Sequence, residues 1–305
     1  SDLQEIKKVL LISIPRTLTL GSDTISVIFL LSFASLMTAG SIAIFNFSYN
    51  LESFLLSAIG VSYSLAVFPV LIKLHADKKT AEFAEQTVLT ARYMIFWSIP
   101  IATLFIVIKN QIVHTILGAG QFNGMQVTIT AAALSVFVVS IVCQNLTLLF
   151  VRAYYAVGNT TKPFIAKFIN AITTVLLGFF FMKLYQQSPA FQDLIETVLG
   201  VKGLPGTIIL TLPLGWSVGE ILNTIALWIV FEKDFKHFSR PVLKTLFQVA
   251  VTSILMGIIA FYGLAFFGTI LNTSTTLGIF FQGLSAGLVS ILVGMIILKL
   301  IKHQE

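Results

Sequence analysis

Residues 46–69 read NFSYNLESFLLSAIGVSYSLAVFP, a stretch that is long and apolar enough to cross a membrane. Small and polar side chains recur in it every three or four residues, at Asn46, Asn50, Ser53, Ser57, Gly60 and Ser64. This spacing places them on one face of a helix. Because lipid offers no hydrogen-bond partner to an amide or a hydroxyl, we expect this face to contact protein or a water-filled cavity.

The whole chain shares this apolar character. Of its 305 residues, 56% are hydrophobic and 10% are charged, and the mean hydropathy is +0.94. Soluble domains have about 25% charged residues, so the composition indicates an integral membrane protein. The net charge of +6 is spread over short loops without an aromatic cluster, so no nucleic-acid partner is expected. The polar opening SDLQEIKK is unlike a signal peptide and is interpreted as a segment of a longer protein.

Apolar windows of about 20 residues predict an all-α fold, a polytopic membrane bundle of eight transmembrane helices. The windows lie at residues 9–37, 42–74, 87–108, 127–157, 163–184, 207–231, 242–267 and 277–301. Proline is expected to bend several of these helices, at Pro15, Pro69, Pro100 and Pro213.

The distribution of basic residues predicts the orientation of the bundle. Most of the 19 lysines and arginines, Lys167 among them, fall in alternate segments at 1–8, 72–92, 152–167, 232–244 and 299–305. The positive-inside rule therefore predicts that both termini are cytoplasmic. The connection at 185–206 is then external, and its apolar spacing fits either an interfacial helix or a flexible loop.

The sequence has little that could support catalysis. Its four histidines, His75, His114, His237 and His303, lack metal-ligand spacing, and Cys143 has no cysteine partner. We therefore predict no metal site, no cofactor and no enzymatic activity.

Ionisable residues inside membrane spans are functional candidates by default. On the first helix, Arg16 and Asp23 share a face with Thr19 and Ser26. Glu52 lies in the second span.

Two further polar groups occur in later helices. Glu220 and Asn223 form one in the sixth helix, and Gln144 with Asn145 forms a weaker one in the fourth. These stripes fit either close helix packing or the wall of a cavity. A cavity edged by guanidinium and amide groups would suit a ligand with phosphate and sugar oxygens.

Two segments resemble a known family. Residues 14–71, from IPRTLTLG to LAVFPVL, and residues 151–163, VRAYYAVGNTTKP, resemble the MurJ (MviN-type) lipid II flippases of the multidrug/oligosaccharidyl-lipid/polysaccharide exporter superfamily. The resemblance implies the C-terminal part of a fourteen-helix protein. Residues 1–235 would form a six-helix transport lobe, and residues 236–305 a final helix pair with a groove for a lipid tail. The N-terminal six-helix lobe would be the missing partner.

The resemblance also implies a function. Lipid II, a polyprenyl-pyrophosphate-linked sugar, would cross from the cytoplasmic to the outer face of the bacterial inner membrane by alternating access, with membrane lipids around the protein. An ion gradient or the membrane potential would supply the energy. The substrate-binding cavity would be lined by Arg16, Asp23, Asn46, Asn50, Ser53, Ser57, Glu220 and Asn223. A cytoplasmic gate would contain Arg152 and Lys162.

One position departs from the family pattern. Well-known members have a cavity arginine where this chain has Asn50, so we hypothesise that Arg16 supplies the compensating positive charge. Two alternatives stay open. The chain could export another polyprenyl-linked oligosaccharide, or it could be a non-transporting membrane scaffold for cell-wall machinery.

Overall fold

The computed structural model describes the backbone of residues 2–118 and 124–302, and the side chains of residues 17, 19, 21–118 and 124–297. Within these ranges every regular element is helical. The α-helices are α1 (Asp2–Ser35), α2 (Ser41–Leu56), α3 (Ser62–Ala76), α4 (Thr80–Val107), α5 (Lys109–Leu117), α6 (Gly124–Val139), α7 (Ile141–Ala156), α8 (Thr161–Gln187), α9 (Pro189–Leu199), α10 (Thr211–Phe235), α11 (Ser239–Ile270) and α12 (Thr276–Lys302). A π-helical turn, Ser57–Val61, joins α2 to α3, and a 3-10 turn, Thr207–Leu210, leads into α10.

Six helical stretches of the described chain are long and apolar enough to cross a membrane. They are Ser41–Ala76, Thr80–Val107, Thr161–Gln187, Thr207–Phe235, Ser239–Ile270 and Thr276–Ile297. The pair α6 and α7 passes the same test when taken together, and Gly21–Ser35 of α1 is apolar but shorter. The prediction of an all-α, multi-pass membrane bundle is confirmed, whereas the count of eight spans stays a prediction.

The fourth predicted span is broken in the structure. Helices α6 and α7 meet at an angle of 42° around Ser140, whose hydroxyl donates to the carbonyl of Phe137 at 2.8 Å. A serine that bonds back to the preceding turn competes with the helix ladder and favours a bend. The apolar pattern of 127–157 is continuous, so hydropathy alone could not reveal the break.

Helices α8 and α10 pack with their backbones in close contact. A Cβ atom at Gly215 would lie 2.5 Å from the backbone nitrogen of Gly178, and one at Gly219 would lie 2.3 Å from Oγ1 of Thr174. Only glycine leaves room for this approach, which is how small residues hold membrane helices together. The close contact also brings the polar residues of α8 beside Glu220 of α10.

The last two helices form a hairpin against the rest of the bundle. Helix α11 packs along α4 and α12, and α12 also contacts α5. A short apolar groove lies between α5 and α12, lined by residues that include Ile112, Ile116, Phe280 and Leu284. The division of the chain at residue 235, and a lipid tail in a groove of this hairpin, stay predictions.

The connection at 185–206 contains a helix, α9. Its external location and a position along the membrane interface stay predictions. Ser188 caps the start of α9 by accepting a hydrogen bond from the backbone nitrogen of Phe191, and Gly200 ends the helix in the left-handed conformation at φ 72°. The short helix α5 was not predicted, because nine residues of mixed polarity give too weak a periodic signal.

Glu196 of α9 fastens this connection to the bundle. Its carboxylate accepts hydrogen bonds from Tyr185 at 2.5 Å, from Thr207 at 2.8 Å and from Gln192 at 3.0 Å, and the backbone nitrogen of Gly203 adds another at 3.4 Å. Burial raises the pKa of Glu196, but these donors outweigh it and lower the pKa to about 2.

Gly215→Ala is expected to destabilise the bundle, because the new methyl group would force α8 and α10 apart. Overpacking of this kind costs about 1–3 kcal/mol. Gly21→Ala is the matched control, since a Cβ at Gly21 meets nothing within 4 Å. Gly215→Ala, but not Gly21→Ala, should lower the free energy of unfolding of the purified protein in mixed micelles. Equal stability of the two variants would contradict the close packing.

The Glu196 contacts predict a pH dependence. Since the pKa is lowered from 4.5 to about 2, the stabilisation is present above about pH 4.5 and is lost as the pH falls towards 2. Hydrogen exchange of residues 189–204, corrected for intrinsic rates, should therefore speed up on acidification. Glu196→Gln should be unprotected already at neutral pH, while the exposed-residue control Glu85→Gln should match the wild type. If the protection of these amides in the wild type does not change with pH, the prediction is refuted.

Candidate functional site

A buried ion cluster joins α1, α8 and α10. The ammonium group of Lys167 lies 3.0 and 3.1 Å from the two carboxylate oxygens of Asp23 and 3.4 Å from Oε1 of Glu220. Asn170 donates to the same Glu220 oxygen at 2.6 Å. The Lys167 and Glu220 side chains are 9% and 1% exposed, whereas Asp23 is 41% exposed. One lysine thus serves two carboxylates at the edge of the bundle interior.

Lys167 is the site residue that sequence reasoning missed. The sequence grouped it with the loop cations, but the structure buries it on α8 against two other helices. A signal was present, since Lys167, Asn170 and Thr174 follow one another at offsets of three and four and share one helix face. The same reasoning that identified the polar stripe on the first helix would have identified this one.

A second buried polar chain crosses from α2 to α10 through α7. Glu52 is fully buried, and its Oε1 accepts a hydrogen bond from Nε2 of Gln144 at 2.6 Å. Gln144 also donates to the Ser140 hydroxyl at 2.9 Å, which in turn reaches Ser217 at 3.3 Å. The sequence noted Gln144 as a weak candidate and left Glu52 out of the predicted cavity.

The stripe that begins at Asn46 divides in the folded chain. Asn46 and Ser53 are half-buried, and Asn50 and Ser57 are exposed. The later positions, Gly60 and Ser64, are buried in helix contacts.

The buried end of the stripe explains why glycine stands at position 60. A Cβ atom there would lie 2.1 Å from Oδ1 of Asn145, and Asn145 also donates to the Ser98 hydroxyl at 2.6 Å. This part of the stripe therefore follows the packing interpretation. The part of the stripe nearer the N-terminus, at Asn50 and Ser57, presents polar groups on the outside of the chain.

The remaining predicted site residues have varied surroundings. Asn223 is buried, and its Nδ2 atom has no hydrogen-bond partner in the described structure. Lys162 forms an ion pair with Asp234 at 2.5 Å, close to Tyr154, which also donates to Asp234 at 2.7 Å.

Two basic candidates complete the set. The guanidinium group of Arg152 lies 5.6 Å from the centre of the Phe68 ring. The backbone of Arg16 belongs to α1, but its side chain lies outside the described residues. The roles assigned to Arg16, Asp23, Asn46, Asn50, Ser53, Ser57, Glu220 and Asn223, and to the gate residues, stay predictions.

These features define a class: a polytopic α-helical membrane protein with ion pairs inside the bundle and a polar face on its outside. Within that class, the profile of the family described as "Lipid II flippase MurJ" matches residues 1–282. The chain belongs to this family. The resemblance recognised in the sequence is confirmed, and so is the location as a multi-pass protein of the bacterial inner membrane.

Individual relatives agree with the family match. A "Probable lipid II flippase MurJ" of Treponema pallidum is 22% identical over 257 residues, which cover 84% of this chain and 44% of that protein. A "Lipid II flippase MurJ" of Burkholderia cenocepacia is 24% identical over 228 residues, covering 75% of this chain and 40% of that one. The chain therefore spans less than half the length of these relatives.

A solved structure shows the same fold. It is described as "Lipid II flippase MurJ, inward closed conformation" and superposes with a TM-score of 0.69 at 19% identity. The match covers 96% of this chain and 54% of that one. The helical arrangement described above is therefore that of about half of the solved protein.

Lys167→Met is expected to destabilise the bundle strongly, because it leaves Asp23 and Glu220 without their counter-ion. Removing one partner of a buried ion pair costs about 3–5 kcal/mol. Lys162→Met is the matched control, since its ion pair with Asp234 is 40% and 31% exposed, and such pairs contribute about 1 kcal/mol or less. The free energy of unfolding of each variant, measured in mixed micelles, tests this prediction.

A compensating variant separates charge from packing in this prediction. Adding Asp23→Asn and Glu220→Gln to Lys167→Met removes all three charges and should recover most of the lost stability. If Lys167→Met lowers the free energy of unfolding no more than Lys162→Met does, the cluster does not stabilise the bundle as a buried ion pair.

Proposed function

We propose that this chain is the C-terminal part of a flippase that moves lipid II from the cytoplasmic to the outer face of the membrane by alternating access. The match of the family profile to residues 1–282 is the observation that supports this most directly. The likeness to the fold of a solved family member supports it further. The transport is non-covalent, so the protein is not an enzyme.

In this proposal the chain contributes eight transmembrane helices, with both ends in the cytoplasm. The bent pair α6 and α7 counts as one span, and α1 as another. A separate N-terminal lobe of six helices faces this part. The exposure of Asn50 and Ser57 supports this arrangement, because an amide and a hydroxyl facing lipid would lack partners.

The polar face formed by α2 and the start of the π-helical turn lines the cavity for the head group of the lipid. Asn50, Ser53 and Ser57 would offer hydrogen bonds to phosphate and sugar oxygens, and Arg16 the positive charge. The ion cluster of Lys167, Asp23 and Glu220 holds α1 against α8 and α10. Asp23 is its exposed member and would border the cavity.

Helix bending supplies the motion. The π-helical turn Ser57–Val61 and Pro69 both interrupt the regular ladder between α2 and the end of α3. Lys162, held by Asp234, and Arg152 form the cytoplasmic gate. The energy comes from an ion gradient or from the membrane potential, without a bound cofactor.

A related cargo is the second candidate. Asn50 is an amide, and amides suit sugar hydroxyls as well as phosphate oxygens. Another polyprenyl-linked oligosaccharide would therefore fit the same face of α2, with the same mechanism.

Delivery of lipid II to the outer leaflet tests the proposal. The full-length protein should restore this delivery in cells depleted of their own flippase, and a double substitution, Asn50→Leu with Ser57→Leu, should reduce the rate roughly tenfold through lost hydrogen bonds. Phe54→Leu is the control, since Phe54 lies on the same helix and is 68% exposed.

Each outcome has a distinct meaning. Failure of the wild-type protein with lipid II, combined with delivery of another polyprenyl-linked sugar, would favour the second candidate. Growth rescue without any delivery would favour the scaffold. Unchanged transport in the double variant would remove the α2 face from the cavity.

A further inference from the structure

Glu52 carries a carboxyl group inside a membrane-spanning helical stretch. It is the twelfth of the 36 residues of the stretch Ser41–Ala76, roughly 17 Å from the start at 1.5 Å per residue, so it lies well inside a helical stretch that is longer than a hydrocarbon layer of about 30 Å. Its side chain is fully buried. Water is therefore excluded from it in this packing.

Among the residues that the structure describes, the carboxyl group has a single hydrogen-bond donor. Gln144 donates to Oε1, whereas Oε2 is buried without a hydrogen-bond partner among the described residues. Glu196 provides the contrast, since it is also buried but accepts hydrogen bonds from three side chains and one backbone nitrogen. A carboxylate at position 52 would lack the donors that stabilise the one at 196.

Glu52 also lacks a counter-ion within the described part of the chain. The charged groups that act on it are Glu220 of α10, Asp23 of α1 and Lys167 of α8. Lys167 is already engaged by the other two carboxylates. Helix α6, which packs closely against α2, contains no charged residue. Among the described side chains, three carboxyl groups therefore share one ammonium group.

We propose that Glu52 is a proton-binding site of this lobe. In the closed packing described here, the carboxyl group is neutral and holds its proton on Oε2. When α2 separates from α7 and water enters, the O–H bond breaks, the proton passes to water as hydronium, and the carboxylate becomes solvated. Closing reverses the step and takes up one proton.

The cost of an unpaired charge explains why protonation follows closure. An ionised carboxylate in an apolar interior is so unfavourable that the group neutralises instead. Acidic conditions therefore favour the closed packing and alkaline conditions the open one. The protonation of Glu52 does not depend on the proposed function, whereas its coupling to transport rests on that function.

Infrared spectroscopy of the full-length protein tests the protonation directly. At neutral pH the wild type should show the C=O stretch of a protonated carboxyl group, above the amide I band, and Glu52→Gln should lose this intensity. Glu52→Gln keeps an oxygen that accepts from Gln144, so it is expected to fold. Glu196→Gln is the control and should keep the band, because Glu196, with its pKa of about 2, is ionised at neutral pH.

A second variant provides a test that does not depend on loss of the C=O band. Gln144→Leu removes the one donor, so the band should persist and move to higher wavenumber. Equal band intensity in the wild type and Glu52→Gln, or no movement in Gln144→Leu, would overturn the proton site.

Transport at different pH values tests the coupling. In proteoliposomes the wild-type rate of lipid II movement should depend on pH, and Glu52→Gln should lose that dependence. Identical pH responses of the two proteins would overturn the coupling. Absence of lipid II movement by the wild type at every pH would instead count against the proposed function, while the spectra still decide the proton site.

Discussion

The structure depends on one constraint: a polar group inside a membrane bundle must find its partner within the protein. Lys167 satisfies this constraint by pairing with Asp23 and Glu220. This pairing connects three helices that are far apart in sequence. Because Lys167 is the one cation that both carboxylates share, and Lys167 and Glu220 are buried, removing the lysine charge would leave two carboxylates without their counter-ion. The cluster therefore fixes how α1 lies against α8 and α10.

Close helix contact makes this pairing possible. Gly178, Gly215 and Gly219 let α8 and α10 approach until their backbones touch, and that approach places Asn170 within 2.6 Å of Glu220. Glycine at these positions costs helix propensity, of about 1 kcal/mol each in water. In lipid, where apolar surface gives no drive to associate, van der Waals packing and interhelical hydrogen bonds offset that cost.

The two ends of the polar stripe that runs from α2 into α3 have different surroundings in this fold. Gly60 and Ser64 serve packing, while Asn50 and Ser57 face outward, where the proposed second lobe would complete a cavity. Glu52 lies on another face of α2, between Asn50 and Ser57 in sequence, and Gln144 is its single hydrogen-bond donor among the described residues. A proton on Glu52 would make the contact between α2 and α7 sensitive to hydration, which is what an alternating-access helix requires.

The sequence by itself determined the all-α membrane class, the approximate helix boundaries and the family, because apolar windows and short motifs are local patterns. It also identified Asp23 and Glu220 as polar groups in spans, but it assigned Lys167 to a loop and missed the break at Ser140. Tertiary structure alone decided that Lys167 pairs with both carboxylates, that α9 is held by Glu196, and which half of the α2 stripe is buried. The physical reason is that partners 53 and 144 residues apart in the chain meet only through helix packing, and periodicity along one helix does not report which helix lies opposite.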